Sequence, residues 1–335
     1  MTRRKAFVTG AAGFLGANLV RRLRAEGHTV IATRRPDGDD WRLDDLAGDV
    51  ERAELDLSDA HAVSRALART KPHWIFHLAA YGGYSWEADR NRIVATNYNA
   101  TVGLLTAAVD AGVEAFVHAG SSSEYGFKDH APAETELPEP NSDYAAAKAA
   151  ATLFVTHVGR TARFRASTLR LYSVYGPWED PRRLIPTLVS KGVMGTLPPL
   201  VDPRVARDFV YVADACDALI RAAENAEPGA IYNVGTGVQT TVGELVDLAI
   251  AQLDIAETPR WGTMDDRAWD THVWVANPDR IMQTLGWQPQ VGLDDGFRRT
   301  VLWLSERPEL WRRYGIESDL AWDRFRTRAS SRSES

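Results

Sequence analysis

The chain is predicted to fold as an α/β protein, a doubly wound parallel sheet with a smaller C-terminal α/β lobe. Three observations predict it. Short apolar β-branched runs alternate with Ala/Leu-rich helical stretches through the first half, the pattern of βαβ units on a sheet buried on both faces. A glycine-rich turn, Gly10-Ala-Ala-Gly13-Phe14-Leu15-Gly16, joins the first run to the first helical stretch. The regularity then ends at Gly176, after which Pro177, Pro181, Pro186, Pro198, Pro199 and Pro203 punctuate the chain and mark a change of architecture. Together these describe a Rossmann-like fold.

In chain order, strands are expected at Ala6 to Thr9, Val30 to Thr33, Glu54 to Leu57, Trp74 to Leu78, Phe116 to Ala119 and Ser167 to Tyr172. Helical stretches such as Ala17 to Glu26 and Ala60 to Arg69 separate them, and compact strands follow at Phe209 to Val212 and Ala230 to Val234. The expected organisation is a dinucleotide-binding domain over 1–176, with returning segments near 207–238, interleaved with a substrate lobe over 177–335. Arg326 to Ser335 is rich in Ser and Arg without an apolar face and is expected to be a disordered tail.

Composition sets bounds on function. The 335 residues carry 39 Lys+Arg against 45 Asp+Glu, a net charge of −6, with 44% apolar residues and one cysteine. Cys216 alone cannot close an intramolecular bridge, and no apolar stretch of signal-peptide length precedes the first glycine. The expected location is therefore cytoplasmic. No apolar run is long enough to span a bilayer, and the acidic balance gives no reason to expect nucleic acid or an anionic membrane as partner. The eight histidines lack metal-site spacing, so no metal is expected; His77 and His118 lie in apolar strands and read as core residues. The acids of Asp37 to Asp45 read as a solvated turn.

In the glycine turn, Gly10 permits the bend, Gly13 lets backbone approach a pyrophosphate, and Gly16 lets the helix pack on the strand. Phe14 and Leu15 open that helix, whose first amides would face the phosphates. At the end of the second strand, Arg34 and Arg35 stand where an acidic residue would grip a ribose diol. Arginine there favours NADP, with NAD as the alternative. Asp56 and Leu57 would lie near the adenine, and Leu78, Ala79 and Ala80 along the dinucleotide path.

Tyr144 and Lys148 lie four positions apart in an Ala-rich stretch, on one helix face. A phenol of pKa about 10 is a poor base at neutral pH, and a neighbouring ammonium would favour its phenolate. Ser121, at the carboxyl edge of the sheet, would donate a hydrogen bond to the reacting oxygen. The aromatic loop at Tyr81, Tyr84 and Trp86 follows the fourth strand on the same edge and could touch a sugar.

These residues resemble the extended short-chain dehydrogenase/reductases that act on nucleotide sugars. The resemblance runs nearly end to end, through Thr9 to Gly16, His77-Leu-Ala-Ala80, Asn97 before Thr101, Ser121 to Gly126, Tyr144-x-x-x-Lys148, Val174 to Pro177, Arg207 to Val212 and Asn233 to Gly237. It implies Tyr144 as acid/base, Lys148 as its tuner, Ser121 as hydrogen-bond donor, and Asn97, Tyr172 and Val174 beside the cofactor. The substrate would be a nucleotide-diphosphate sugar, with Arg207, Arg267 and Asp270 meeting the nucleotide. Relatives pair through the helices that carry Asn97 and Tyr144, so a homodimer is expected.

Departures from the family pattern narrow the activity. The sugar 4,6-dehydratases follow the catalytic Ser or Thr with an acidic pair or a polar residue and Glu; here Ser122 and Ser123 follow, and the acid, Glu124, comes one place later. Ser173 replaces the usual Asn before Val-Tyr-Gly-Pro, which puts a phosphate contact in doubt. Two activities at carbon four remain. Arg34, Arg35 and the Gly120 to Gly126 string favour NADPH-dependent reduction of a 4-keto-6-deoxy sugar, and 4-epimerisation through a transient 4-keto sugar is the alternative. A non-catalytic NADP-binding protein should lack Tyr144 or Lys148, and both are present.

Overall fold

The computed structural model describes residues 3–264 and 271–317, together with Trp322. Its first half alternates β1 (Lys5–Thr9), α1 (Phe14–Ala25), β2 (Thr29–Arg34), β3 (Glu51–Glu54), α2 (Ala60–Thr70), β4 (Trp74–His77), α3 (Arg90–Val94), α4 (Ala100–Asp110), β5 (Ala115–Ser121), α5 (Asp143–Thr161) and β6 (Arg165–Leu171). There follow β7 (Ser173–Tyr175), α6 (Leu184–Val193), β8 (Ala206–Arg207), β9 (Phe209–Tyr211), α7 (Val212–Asn225), β10 (Ala230–Val234), β11 (Thr240–Thr241), α8 (Val242–Leu253), α9 (Asp279–Leu285), α10 (Leu293–Ser305) and α11 (Pro308–Trp311).

Seven parallel strands form one sheet in the order β10-β6-β5-β4-β1-β2-β3. The order reverses between β1 and β4, and ligands of doubly wound sheets bind in the crevice beyond such a switch point. Apolar side chains cover both faces: Val8, Leu19, Phe76 and Leu219 belong to one cluster, and Phe7, Ile75, Leu104 and Val155 to the other. The smaller lobe has its own core, built around Leu188, Leu245, Phe297 and Trp311. Among the described helices, none is long and apolar enough to cross a membrane.

Three elements differ from expectation. The third strand lies at Glu51–Glu54 rather than Glu54 to Leu57, because it pairs Ile31 with Glu51 and Arg34 with Glu54 at the sheet edge. Only Ala53 of that strand is buried, so its charged residues hide it from apolar periodicity. The fifth strand runs on to Ser121, which is thus its last residue rather than a residue beyond it. The acid-rich turn contains a 3₁₀ helix, Trp41–Leu46, anchored by buried Leu43 and Leu46. Arg326 to Ser335 lies outside the described residues.

Candidate active site

At the end of β1, Gly10 has φ +64°, and a Cβ there would stand 2.7 Å from the Ala79 nitrogen. At Gly16 a Cβ would stand 2.1 Å from the Gly10 carbonyl oxygen. Both positions therefore require glycine, and the turn folds tightly between α1 and the segment after β4. The Gly13 side of the turn is open, and no side chain caps the first turn of α1. These uncapped amides and the missing Cβ atoms make the cradle that a dinucleotide pyrophosphate fits. Phe14 and Leu15 are half-buried there, as are Leu78 and Ala79, while Ala80 is exposed.

At the ribose end, Arg34 is engaged with two carboxylates: its guanidinium lies 3.2 Å from Glu54 and 3.7 Å from Asp40. It also donates to the Gly38 carbonyl at 3.3 Å. Arg35 is more exposed, 3.7 Å from Asp37. Asp56 accepts hydrogen bonds from the Ser58 amide and hydroxyl, which hold its carboxyl below the usual range, with Arg35 adding to the effect. Leu57 beside it is half-buried.

A polar chain runs from this cradle toward the sugar side. Thr9 and Thr101 flank the buried His77 ring at 2.7 and 2.9 Å. Because Thr101 donates to the Asn97 carbonyl at 2.8 Å, its oxygen accepts from His77 Nε2, leaving Nδ1 to accept from Thr9. Asn97 lies in a π-helical turn, Ala95–Asn99; its side chain accepts from the Tyr81 amide at 3.2 Å and donates to the Tyr81 carbonyl. Burial pushes His77 down to about 3, so the ring is neutral at working pH. His118 stacks on it with ring centres 5.7 Å apart. Among the described residues, no group of His, Cys, Asp or Glu is arranged to hold a metal ion.

Helix α5 brings Tyr144 and Lys148 opposite the end of β5. Lys148 is 1% exposed and its Nζ donates to the Ala119 carbonyl at 2.9 Å. Burial pulls the ammonium down to about 8, with the Glu124 carboxylate opposing. Tyr144 departs from expectation. Burial pushes its phenol up to about 12, and the groups working against that are a hydrogen bond from the Ser121 side chain and the charge of Arg183 rather than Lys148. In this setting the Tyr144 phenol holds its proton at neutral pH.

The remaining predicted residues surround this trio. Ser122 and Ser123 form the 3₁₀ turn Ser122–Tyr125 after β5, with Ser122 buried. Tyr172 is buried, and its amide donates to the Val234 carbonyl at 3.0 Å. Ser173 and Val174 are half-buried in β7, which pairs with β9, and the Ser173 amide donates to the Asp208 carbonyl at 2.9 Å. Arg207 lies 5.7 Å from the Trp274 ring centre. Arg267 and Asp270 fall outside the described residues.

Three further residues had no signal in spacing or periodicity, and a fourth, Glu124, was marked only by its place in the family pattern. Glu124 is fully buried and paired with Arg170 at 2.8 Å. Asp208 accepts from the amides of Thr236, Gly237 and Ala276, tying down the loop after β10. Arg42 donates to the Ala12 carbonyl in the glycine turn at 3.3 Å and to the Trp178 carbonyl at 2.7 Å. Arg183, at the start of α6, lies within electrostatic reach of Tyr144. Above it Tyr84 and Trp86 stack with ring centres 4.6 Å apart, and Arg182 lies 3.9 Å over Trp86.

A sequence model of the NAD dependent epimerase/dehydratase family matches residues 6–235. The chain belongs to this family. It is accordingly an NAD(P)-dependent enzyme of the extended short-chain dehydrogenase/reductase class. A UDP-glucose 4-epimerase of Mycolicibacterium smegmatis is 34% identical over 309 residues, spanning 89% of this chain and 97% of that relative. The UDP-glucose 4-epimerase of Thermus thermophilus, solved with NAD, superposes with TM-score 0.80 at 30% identity, covering 89% of this chain and 97% of that one. The dTDP-glucose 4,6-dehydratase DesIV of Streptomyces venezuelae, also solved with NAD, gives TM-score 0.84 at 30% identity over 92% of this chain and 99% of that one.

Proposed function

We propose that the protein is a nucleotide-sugar 4-epimerase that keeps NAD bound through its cycle. The observation that carries the reading is the trio at the cleft: Tyr144, whose phenol the Ser121 side chain holds below what burial alone would set, Lys148 buried with its Nζ on the Ala119 carbonyl, and serine at both positions that follow Ser121. Such a site moves a proton at one sugar oxygen but places no carboxylate after Ser121 to assist loss of water. Glu124, the one acid in that stretch, is held by Arg170.

A dinucleotide held at the glycine turn would supply the hydride acceptor, and then the donor, for carbon four. Ser121 would hold the oxygen on that carbon with its hydroxyl, Tyr144 would exchange the proton of the same oxygen, and Lys148 would keep a positive charge beside them. The uncapped turn at Gly13 would hold the pyrophosphate, and Arg207 would meet the substrate's diphosphate. The ion pairs of Arg34 with Asp40 and Glu54 offset its charge, which supports NAD over NADP.

Arg35 supports a second reading, NADPH-dependent reduction of a 4-keto-6-deoxy nucleotide sugar, because it is exposed at the ribose end. Denaturing freshly purified protein and identifying any released dinucleotide separates the two. Stoichiometric NAD, with interconversion of UDP-glucose and its 4-epimer, is the expected result. An empty site that binds NADPH better than NADH would replace epimerase by reductase. The protein is further proposed to be a homodimer through α4 and α5, whose exposed Leu153 has no partner in a single chain's core; a monomer mass by light scattering would reject this.

A further inference from the structure

We propose that Glu124 is a positioning residue which, through a reciprocal cap with Ser121, fixes the Ser121 hydroxyl as a hydrogen-bond donor toward Tyr144 and the sugar oxygen; the proposal rests on Ser121 acting as donor in the reaction above.

The cap has two halves. Ser121 Oγ accepts from the Ser123 amide at 3.2 Å, and Glu124 Oε1 accepts from the Ser121 amide at 2.9 Å. A serine hydroxyl can donate or accept, rotating to suit its partners. With a lone pair already directed at the Ser123 amide, the Oγ proton has to point elsewhere, and the Tyr144 phenol, whose pKa the Ser121 side chain lowers against burial, is the acceptor it would meet. The cap thereby turns an ambivalent hydroxyl into a directed donor.

Glu124 itself is fixed from three elements. Its Oε1 also accepts from the Thr152 hydroxyl at 3.0 Å, one turn along α5 from Lys148, and its Oε2 accepts from Arg170 Nε on β6 at 2.8 Å. Glu124 is 0% exposed and Arg170 1%, and such a buried pair holds a single geometry only when its remaining hydrogen bonds are satisfied. Here Arg170 also donates to the Glu134 carbonyl and lies over the Tyr125 ring, 4.3 Å from its centre. Gly120 completes the arrangement: a Cβ there would stand 2.7 Å from Glu124 Oε1 and 2.6 Å from Thr168 Cγ2. Space for the folded-back carboxylate exists because residue 120 has no side chain. Buried in this way, Glu124 stands at the same sheet edge as the trio and acts through Ser121 without touching the sugar.

The test is a double-mutant cycle on the holoenzyme, with Glu124→Val, Ser121→Ala and the double variant assayed for kcat and KM. Glu124→Val is expected to lower kcat by about 10- to 100-fold, toward the loss typical of a removed oxyanion donor, while KM stays within about threefold. The double variant should be no slower than Ser121→Ala, because Glu124 has nothing left to position. Additive losses, or an unchanged kcat in a folded Glu124→Val protein, would overturn the proposal. Should Glu124→Val fail to fold, Glu124→Gln with Arg170→Gln keeps the acceptor without an orphan charge and is expected to be at least about tenfold more active than Gly120→Ala; equal activity of the two rejects the proposal. Hydrogen exchange over Ser121 to Tyr125 reads the cap without substrate. Protection lost in Glu124→Val or Gly120→Ala supports the cap even if the nucleotide sugar is wrongly assigned, and unchanged protection rejects it.

Discussion

The Lys148 ammonium donates at 2.9 Å to the carbonyl of Ala119, two residues before Ser121 on the same strand. The residue expected to tune Tyr144 thus also ties α5 to the end of β5. Because burial has brought Lys148 down to about 8, it is charged at neutral pH and loses its proton as pH rises through that value. Turnover is expected to fall above about pH 8, and Lys148→Met should lower kcat by about 10²-fold or more and abolish that limb. A parental profile flat to pH 10 would deny the ammonium its role.

Tyr144→Phe removes the proton but keeps the ring that packs near Gly82. Its kcat is expected to drop by about 10²- to 10⁴-fold, with dinucleotide affinity, measured by calorimetry, unchanged. Full turnover by the variant would deny Tyr144 its role in moving the proton.

Gly82 has φ +95°, and a Cβ there would lie 2.7 Å from Ile93 Cγ1 and 3.4 Å from the Tyr144 ring. Gly82→Ala should displace the Tyr81 loop and raise KM several-fold, with thermal stability lowered by about 1 to 3 kcal/mol. Steady-state kinetics and melting curves on the same preparation check both effects.

Glu179 is buried, with one carboxyl oxygen lacking a partner, and burial raises it from 4.5 to about 8. An acid whose folded pKa exceeds its unfolded value stabilises fully below the unfolded value and loses that contribution as pH climbs to the folded one. The window here is about pH 4.5 to 8, and the loss is of the order of a few kcal/mol. Glu179→Gln should therefore melt several degrees above the parent at pH 9 while differing little at pH 5. Melting curves with the same pH dependence in both proteins would contradict the assignment.

The legibility of this molecule in its sequence varied with the kind of signal. The central strands were readable because both faces are buried and β-branched runs mark them, as at Phe7 to Val8 and Ile75 to Phe76. The edge strand was displaced because its sole buried residue is Ala53. Gly10, Gly16, Ser121, Tyr144 and Lys148 are assembled at one sheet edge, since each follows from local chemistry at fixed spacing. The raised phenol of Tyr144 was not legible, because desolvation depends on what packs around the ring rather than on its helical neighbour. Arg34 pointed to NADP in the sequence, where its partners were hidden: Asp40 and Glu54 approach through the loop and the strand that follow. Arg42 and Asp208 were invisible for a related reason: their acceptors and donors come from segments far along the chain.

The π-helical turn at Ala95–Asn99 holds one residue more than an α-helical turn would. On a continuous α-helix each residue is rotated by about 100°, so deleting one position here would swing Asn97 and Thr101 out of step with each other. Either Asn97 would lose Tyr81 or Thr101 would lose His77. The surplus residue works as a register key between two halves of one long helix, and an alignment that closes it as a gap would misplace every residue on one side.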